Sequence, residues 1–201
     1  MGSWGMTLHK TWQQLCSETG AQIVNRGFWH GGERVELTYQ CWTIVLDIYT
    51  VIVQRVPVSY TRIRAPFVSR DGFSFSIRRG GVMSAIGKLF GGRQMESGDA
   101  EFDELFTMKS NDEQTMKRLL SSPLIKELFC KQRSIDMKIV DDPGYFKKYY
   151  PENVNELTFS VSNVIKDVER LKSLFQLFCA LLTDFTEIGI AVDANPGVTI
   201  R

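Results

Sequence analysis

Hydrophobic positions change their period along the chain, and the changes mark out its elements. Between Thr7 and Thr19 the apolar residues Leu8, Trp12, Leu15 and Cys16 share one helical face, and Gly20 supplies a C-terminal stop, so the spacing predicts a first helix. Two strands follow near 21–28 and 33–40, joined through His30-Gly31-Gly32-Glu33, where a glycine pair permits the positive φ of a tight hairpin. Trp42 to Arg55 is rich in β-branched and aromatic residues with no helical stripe, which predicts a long strand. Val56-Pro57 is expected to break it, with Val58 to Pro66 returning as its partner. Such a turn sets Tyr49 opposite Arg64 and Val51 opposite Arg62. One face then carries Trp42, Ile44, Leu46, Ile48 and Ile52 against Thr61, Ile63 and Ala65, and reads as core. The other carries Asp47, Tyr49, Tyr60, Arg62 and Arg64 and reads as half wet. A slip of one residue would exchange the two sets, so the pattern itself selects the register.

After Asp71-Gly72, the residues Phe73, Phe75 and Ile77 alternate as a further strand. Residues 82–90 predict a short helix ended by Gly91-Gly92, and Leu105 to Lys109 a brief strand. Ser110-Asn111-Asp112-Glu113 fits a capping box for a helix reaching about Leu120, and Ser122-Pro123 starts a second one. Residues 134–140 alternate as a strand that stops at Asp141-Asp142-Pro143-Gly144; Leu157, Phe159 and Val161 mark another. Finally, Asn163 precedes a helix to about Thr183, with Val164, Val168, Leu171, Phe175, Phe178 and Leu182 on one face. The second half of that helix is apolar on most sides, which suits either deep burial or an oligomer interface. These elements predict an α+β fold: a mainly antiparallel sheet with an N-terminal helix, two central helices and a long C-terminal helix packed on it. A length of 201 residues suits one domain, with a β-rich 1–93 and a helix-rich 94–201 as possible sub-units.

Composition narrows the function classes. A hydrophobic content of 43% argues for a packed core, and a net charge of +1 gives no general pull toward nucleic acid or acidic membranes. Cys16, Cys41, Cys130 and Cys179 are far apart with apolar neighbours, as buried free thiols in a reducing compartment would be. With only His9 and His30 beside them, no zinc-type ligand spacing exists, and no metal or cofactor is expected. The first residues show no basic start, apolar core or cleavage pattern, and no apolar run is long enough to span a bilayer; a soluble cytoplasmic protein is the expectation.

Charge is unevenly distributed. Arg55, Arg62, Arg64, Arg70, Arg78, Arg79, Lys88 and Arg93 face only Asp71 within 55–93, whereas Glu96, Asp99, Glu101, Asp103, Glu104, Asp112 and Glu113 face only Lys109 within 96–113. Arg62, Arg64, Arg78 and Arg79 could meet phosphate or carboxylate bidentately on a strand face. The plainer reading is mutual neutralisation of the two segments, within one molecule or between two. Asp99, Glu101 and Asp103 form an acidic patch, but D-A-E-F-D-E lacks the ligand positions of a calcium loop, and it reads as an acidic lead-in to a strand. Asp47, lodged among apolar strand residues, is expected to pair with Arg64. Gly87 to Gly92 lacks the phosphate-loop order, and no serine or cysteine stands in a nucleophile motif. Tyr145-Phe146-Lys147-Lys148-Tyr149-Tyr150 interleaves aromatics with lysines, as base-stacking platforms do, though packing of its rings on the body is the simpler use.

The string Leu89-Phe90-Gly91-Gly92, then Glu96, Gly98-Asp99, Glu101-Phe102-Asp103, and Phe106, Lys109, Asn111-Asp112 resembles an uncharacterised bacterial family of about this length. The likeness extends to Trp42–Asp47, Tyr60–Pro66 and Val164–Lys172. It implies a bacterial source and brings no activity, cofactor or site residue with it. The residues thus point to a non-enzymatic binding or assembly module with a protein partner or a second copy. The alternative is binding, with or without hydrolysis, of an anionic small molecule or phosphate ester on the arginine-rich strands.

Overall fold

The structure, a computed structural model, describes residues 3–25, 27, 32–79, 93–141 and 150–200. Its elements are α1 (Ser3–Thr19), β1 (Gln22–Asn25), β2 (Glu33–Tyr39), β3 (Trp42–Val53), β4 (Val56–Ser69), β5 (Phe75–Arg79) and β6 (Arg93–Met95). They continue with α2 (Ala100–Leu105), β7 (Thr107–Ser110), α3 (Glu113–Leu119), α4 (Pro123–Cys130), β8 (Ile135–Val140), β9 (Val154–Val161), α5 (Val168–Glu187) and β10 (Ala191–Val192). The strands form one antiparallel sheet in the order β1-β2-β3-β4-β9-β8-β5-β7-β6, with β10 against β4. This is the α+β architecture with a long C-terminal helix that the periodicity predicts. Strands from before and after residue 93 interleave, since β9 and β8 lie between β4 and β5.

The core lies on one sheet face. Leu46, Ile63, Phe159, Met137 and Ile77 stand side by side across five strands, all fully buried. Above them runs α5, whose Leu174, Phe178, Leu181, Leu182 and Phe185 are buried too. Phe185 meets Phe67 at 5.3 Å and Phe75 at 6.3 Å between ring centroids. The apolar second half of α5 is therefore core of this chain, and an oligomer interface is not needed to account for it. At the N-terminal end, α1 stops where the spacing predicts: Gly20 has φ +76° and donates its N–H to Cys16 O at 2.9 Å.

Several boundaries differ from the sequence reading. The β3–β4 turn is Gln54-Arg55, both at positive φ (48° and 69°), and Pro57 lies inside β4. That moves the register by four residues, setting Tyr49 opposite Tyr60 and Asp47 opposite Arg62, and keeps the predicted faces because the shift is even. Asp112, rather than Ser110, caps α3: its carboxylate accepts from Gln114 N and Thr115 N. Ser110 is held in β7 opposite Phe75 and gives its hydroxyl to Ser74 O, so it has no freedom to cap. The acidic stretch is helix α2 instead of a strand lead-in, because Asp99 caps it by accepting from Phe102 N. Three short helices thus stand where two were expected. Likewise α5 begins after its N-cap Asp167, later than Asn163, whose carbonyl is occupied by Thr61 N and Oγ1. The predicted 82–90 helix, His30 and Gly31 lie outside the described residues.

Candidate functional site

The sheet face away from the helices carries the charge. Pairing sets Asp47, Arg62 and Ser160 in one row, and Glu36, Val45, Arg64, Thr158, Lys138 and Ser76 in the next. Asp47 is the hub. Its Oδ1 accepts from Arg62 Nε at 2.8 Å, and its Oδ2 from Arg62 Nη2 at 2.9 Å and Arg64 Nη2 at 2.6 Å. Arg62 is also laid over the Tyr49 ring, 4.7 Å from its centroid, and Tyr49 stacks on Tyr60 at 5.1 Å. Asp47 is 8% exposed and Arg64 5%. Burial alone would raise the Asp47 carboxyl; the Arg62 hydrogen bonds and the two guanidinium charges outweigh it and hold it below the ordinary carboxylate range. Glu156, 1% exposed, shows the opposite balance. Burial pushes its carboxyl up, against the charge of Arg64 and the hydroxyl of Tyr150, which donates to Oε2 at 2.6 Å.

All four arginines proposed from the sequence as anion ligands are engaged. Arg62 and Arg64 hold Asp47, and Arg78 Nε lies 3.2 Å from Asp136 Oδ1 across β5–β8. Arg79 donates to Cys130 O and Gln132 O at the C-terminal end of α4 and lies over the Phe106 ring. The expected Asp47–Arg64 pair is present, with Arg62 as a second partner. Of the acidic patch, Asp99 caps α2 and pairs with Lys126 at 2.8 Å, Asp103 accepts from Ser97 N at 2.8 Å, and Glu101 is exposed. Among the described residues the acidic stretch finds its cation in α4, at Lys126, rather than in the arginine-rich strands. Tyr150 is buried on Glu156, whereas Lys147 and Lys148 lie outside the described residues.

Chemically, this face is a network of ion pairs centred on Asp47. The Asp47 carboxylate is held ionised by two guanidinium groups and Glu156 is capped by the Tyr150 phenol, which is how structural charges are kept in low dielectric. Among the described residues no three His, Cys, Asp or Glu side chains gather to hold a metal ion. The thiols of Cys41 and Cys179 are pushed up to about 11, first by burial in both cases, so neither is a thiolate at neutral pH. A cleft of about 440 Å³ opens between Ser69, Arg70, Asp141, Glu152, Asn153 and Asn155. Its residues are scattered through three loop and strand ends, and no sequence motif could have collected them.

The feature that sequence reasoning missed is an arm. β2 pairs with β3 only as far as Leu46, and β9 with β4 only as far as Thr61, so among the described residues the hairpin between Ile48 and Tyr60 runs on without sheet neighbours. Six residues of β3 beyond Asp47 extend it by about 20 Å at roughly 3.3 Å each. Beside the exposed Thr50, Gln54 and Arg55 it exposes the apolar Val51, Ile52, Val53 and Val56, with Ile52 78% exposed and Val56 59%. The alternation of this segment suggests core, and only the lengths of β2 and β9 reveal that no described strand pairs with it beyond its own hairpin. Compared with known proteins, the chain matches no family model, no curated relative and no solved structure. No described helix is long and apolar enough to cross a membrane.

Proposed function

We propose that the protein is a non-enzymatic binding and assembly module that engages a protein surface through the β3–β4 arm. The observation that carries this reading is the cluster Val51, Ile52, Val53 and Val56, exposed on a strand pair that belongs to no covered face. Single exposed apolar residues are ordinary; a contiguous group on a projecting element is an interaction surface. Membrane insertion fits less well, because the deepest point of the arm would be Gln54-Arg55, a polar and a charged residue. The anion-binding alternative draws no support from Arg62, Arg64, Arg78 or Arg79, whose donors already serve Asp47, Asp136 and helix carbonyls. Four cysteines without a disulfide support a reducing, cytoplasmic setting.

The test compares the wild type with an Ile52→Ser/Val56→Ser double variant. Sedimentation velocity and reconstitution with any captured partner should show an assembly that the double variant loses. Exposed substitutions of this kind change stability by no more than about 0.5 kcal/mol each, so folding is retained. A wild type that stays monomeric and retains the same proteins as the variant would overturn the reading.

A further inference from the structure

The core face of the sheet changes character at one end. Ala65, Leu157 and Ile139 form its last wholly apolar row across β4, β9 and β8, and all three are buried. One alternation further, Phe67 stands opposite Asn155, and continuing the β8–β9 register by two residues brings Asp141 level with Asn155 on its other side. A carboxamide thus stands where the period of two calls for another apolar residue. Asn155 is only 7% exposed, and among the described residues its side chain makes no hydrogen bond. Ser69, diagonal to it, gives its N–H to Asn153 O at 2.7 Å, while its Oγ is buried without a partner. Buried polar groups are nearly always satisfied, so two exceptions side by side call for a cause.

Both residues line the cleft of about 440 Å³, a size suited to a small molecule. Around them stand Arg70, Asp141 and Glu152, exposed and without an ion pair among the described residues. One guanidinium therefore shares the cleft with two carboxylates. That set selects among ligand classes. A phosphate ester would meet two carboxylates for each cation. A sugar would find no aromatic ring to stack on among the described lining residues. A molecule with one carboxylate and two cationic groups answers each charge in turn.

We propose that this cleft binds a free basic amino acid of the arginine or lysine type. The ligand carboxylate is taken by the Arg70 guanidinium, whose planar fork matches it bidentately. Asp141 and Glu152 take the α-ammonium and the side-chain cation. Asn155 supplies a carbonyl acceptor and an amide donor from the buried floor, and so gains the partners that the chain itself does not give it. One cation against two carboxylates leaves the cleft a negative charge, which the net positive charge of the ligand offsets. The site goes beyond the binding-module reading and does not depend on it, since β4 carries the arm at its Val56 end and the cleft at its Ser69 end.

The test is an NMR titration of the isotope-labelled full chain, followed at the side-chain amide of Asn155. L-arginine and L-lysine are the probes. Agmatine, which lacks the carboxylate, and norleucine, which lacks the side-chain cation, are the comparisons. One of the basic amino acids should shift the Asn155 resonance saturably, and each comparison should bind about tenfold more weakly for want of one charge-assisted contact. Arg70→Gln should weaken arginine and leave agmatine unchanged. Asn155→Leu completes the apolar row, so it should unfold at no lower urea than the wild type and lose the binding. Should that variant fail to fold, Arg70→Gln at its exposed position still decides. The proposal is overturned if neither arginine nor lysine binds below about 10 mM, if agmatine or norleucine binds as tightly, if Arg70→Gln binds arginine normally, or if Asn155→Leu folds and still binds. Ile52→Ser/Val56→Ser should bind arginine like the wild type, so failure of this site and failure of the arm are told apart.

Discussion

Asp47 accepts three hydrogen bonds from two arginines while almost out of contact with water. Replacing it with Asn leaves two guanidinium groups on a covered face without their counter-ion, and uncompensated buried charge is far costlier than the net worth of an ion pair. Asp47→Asn is therefore expected to destabilise the fold by about 3–5 kcal/mol, read from urea unfolding at neutral pH. The pH sign follows from the direction of its shift. A carboxyl held below its unfolded value, about 3.9, contributes stability that is present above that pH and lost as pH falls through its lower folded value. Glu156 works the other way. Its folded pKa is raised, first by burial, so its contribution is present below the unfolded value of about 4.3 and lost as pH rises through the folded one. Glu156→Gln keeps an acceptor for Tyr150 and cannot ionise. Its stability relative to the wild type should grow between about pH 4 and 7; a constant difference across that range would show that Glu156 titrates normally in the folded state.

Elements that bury one face were legible in the sequence, and elements defined by their neighbours were not. The alternation from Trp42 and from Ile135, and the stripe on α5, are direct consequences of a single helix layer over a single sheet face. Caps were harder because several acceptors compete in one short stretch. Ser110 and Asp112 both precede the α3 run, and pairing with Phe75 decides between them by fixing Ser110 in β7. Asp112→Ala should cost about 1 kcal/mol in thermal or urea unfolding. Glu113→Gln should be nearly silent, the reverse of what a Ser110 capping box requires. The ion network was half visible: Asp47 was expected to find Arg64, but a turn at Val56-Pro57 put the wrong residues opposite each other. Two left-handed residues that are not glycine, Gln54 and Arg55, gave no compositional sign of the turn. Amide exchange checks the arm at this scale. Tyr49, Val51 and Val53 amides should be protected by β4, while Thr50 and Ile52, which face away from it, should exchange quickly.

Across the whole molecule, one sheet face is closed by helices and the other by chain that has little regular structure. Residues 193–200 have no strand or helix, yet Ile200 is buried, and its carbonyl accepts from Arg34 Nη1 at 2.7 Å. Arg34 is buried in turn, holding Glu36 with Nε at 2.6 Å, so the tail caps the β2 end of the polar face as Tyr150 caps Glu156 at β9. Both closures are made by segments that contact charge rather than by the apolar core. Removing the chain after Asp193 should therefore leave the core intact while stranding the Arg34 donor that Ile200 O satisfies. Each hydrogen bond to a charged group of this kind is worth about 1.5–3 kcal/mol, and the buried apolar surface of Ile200 is lost with it. The truncated protein should unfold at lower urea with its slope nearly unchanged, because little folded surface has been removed. A parallel Arg34→Met variant separates the two terms: it abolishes the stranded donor, so truncation in that background should cost only the apolar part. If the two changes simply add, Arg34 and the tail are independent, and the polar face is held by its own ion pairs alone.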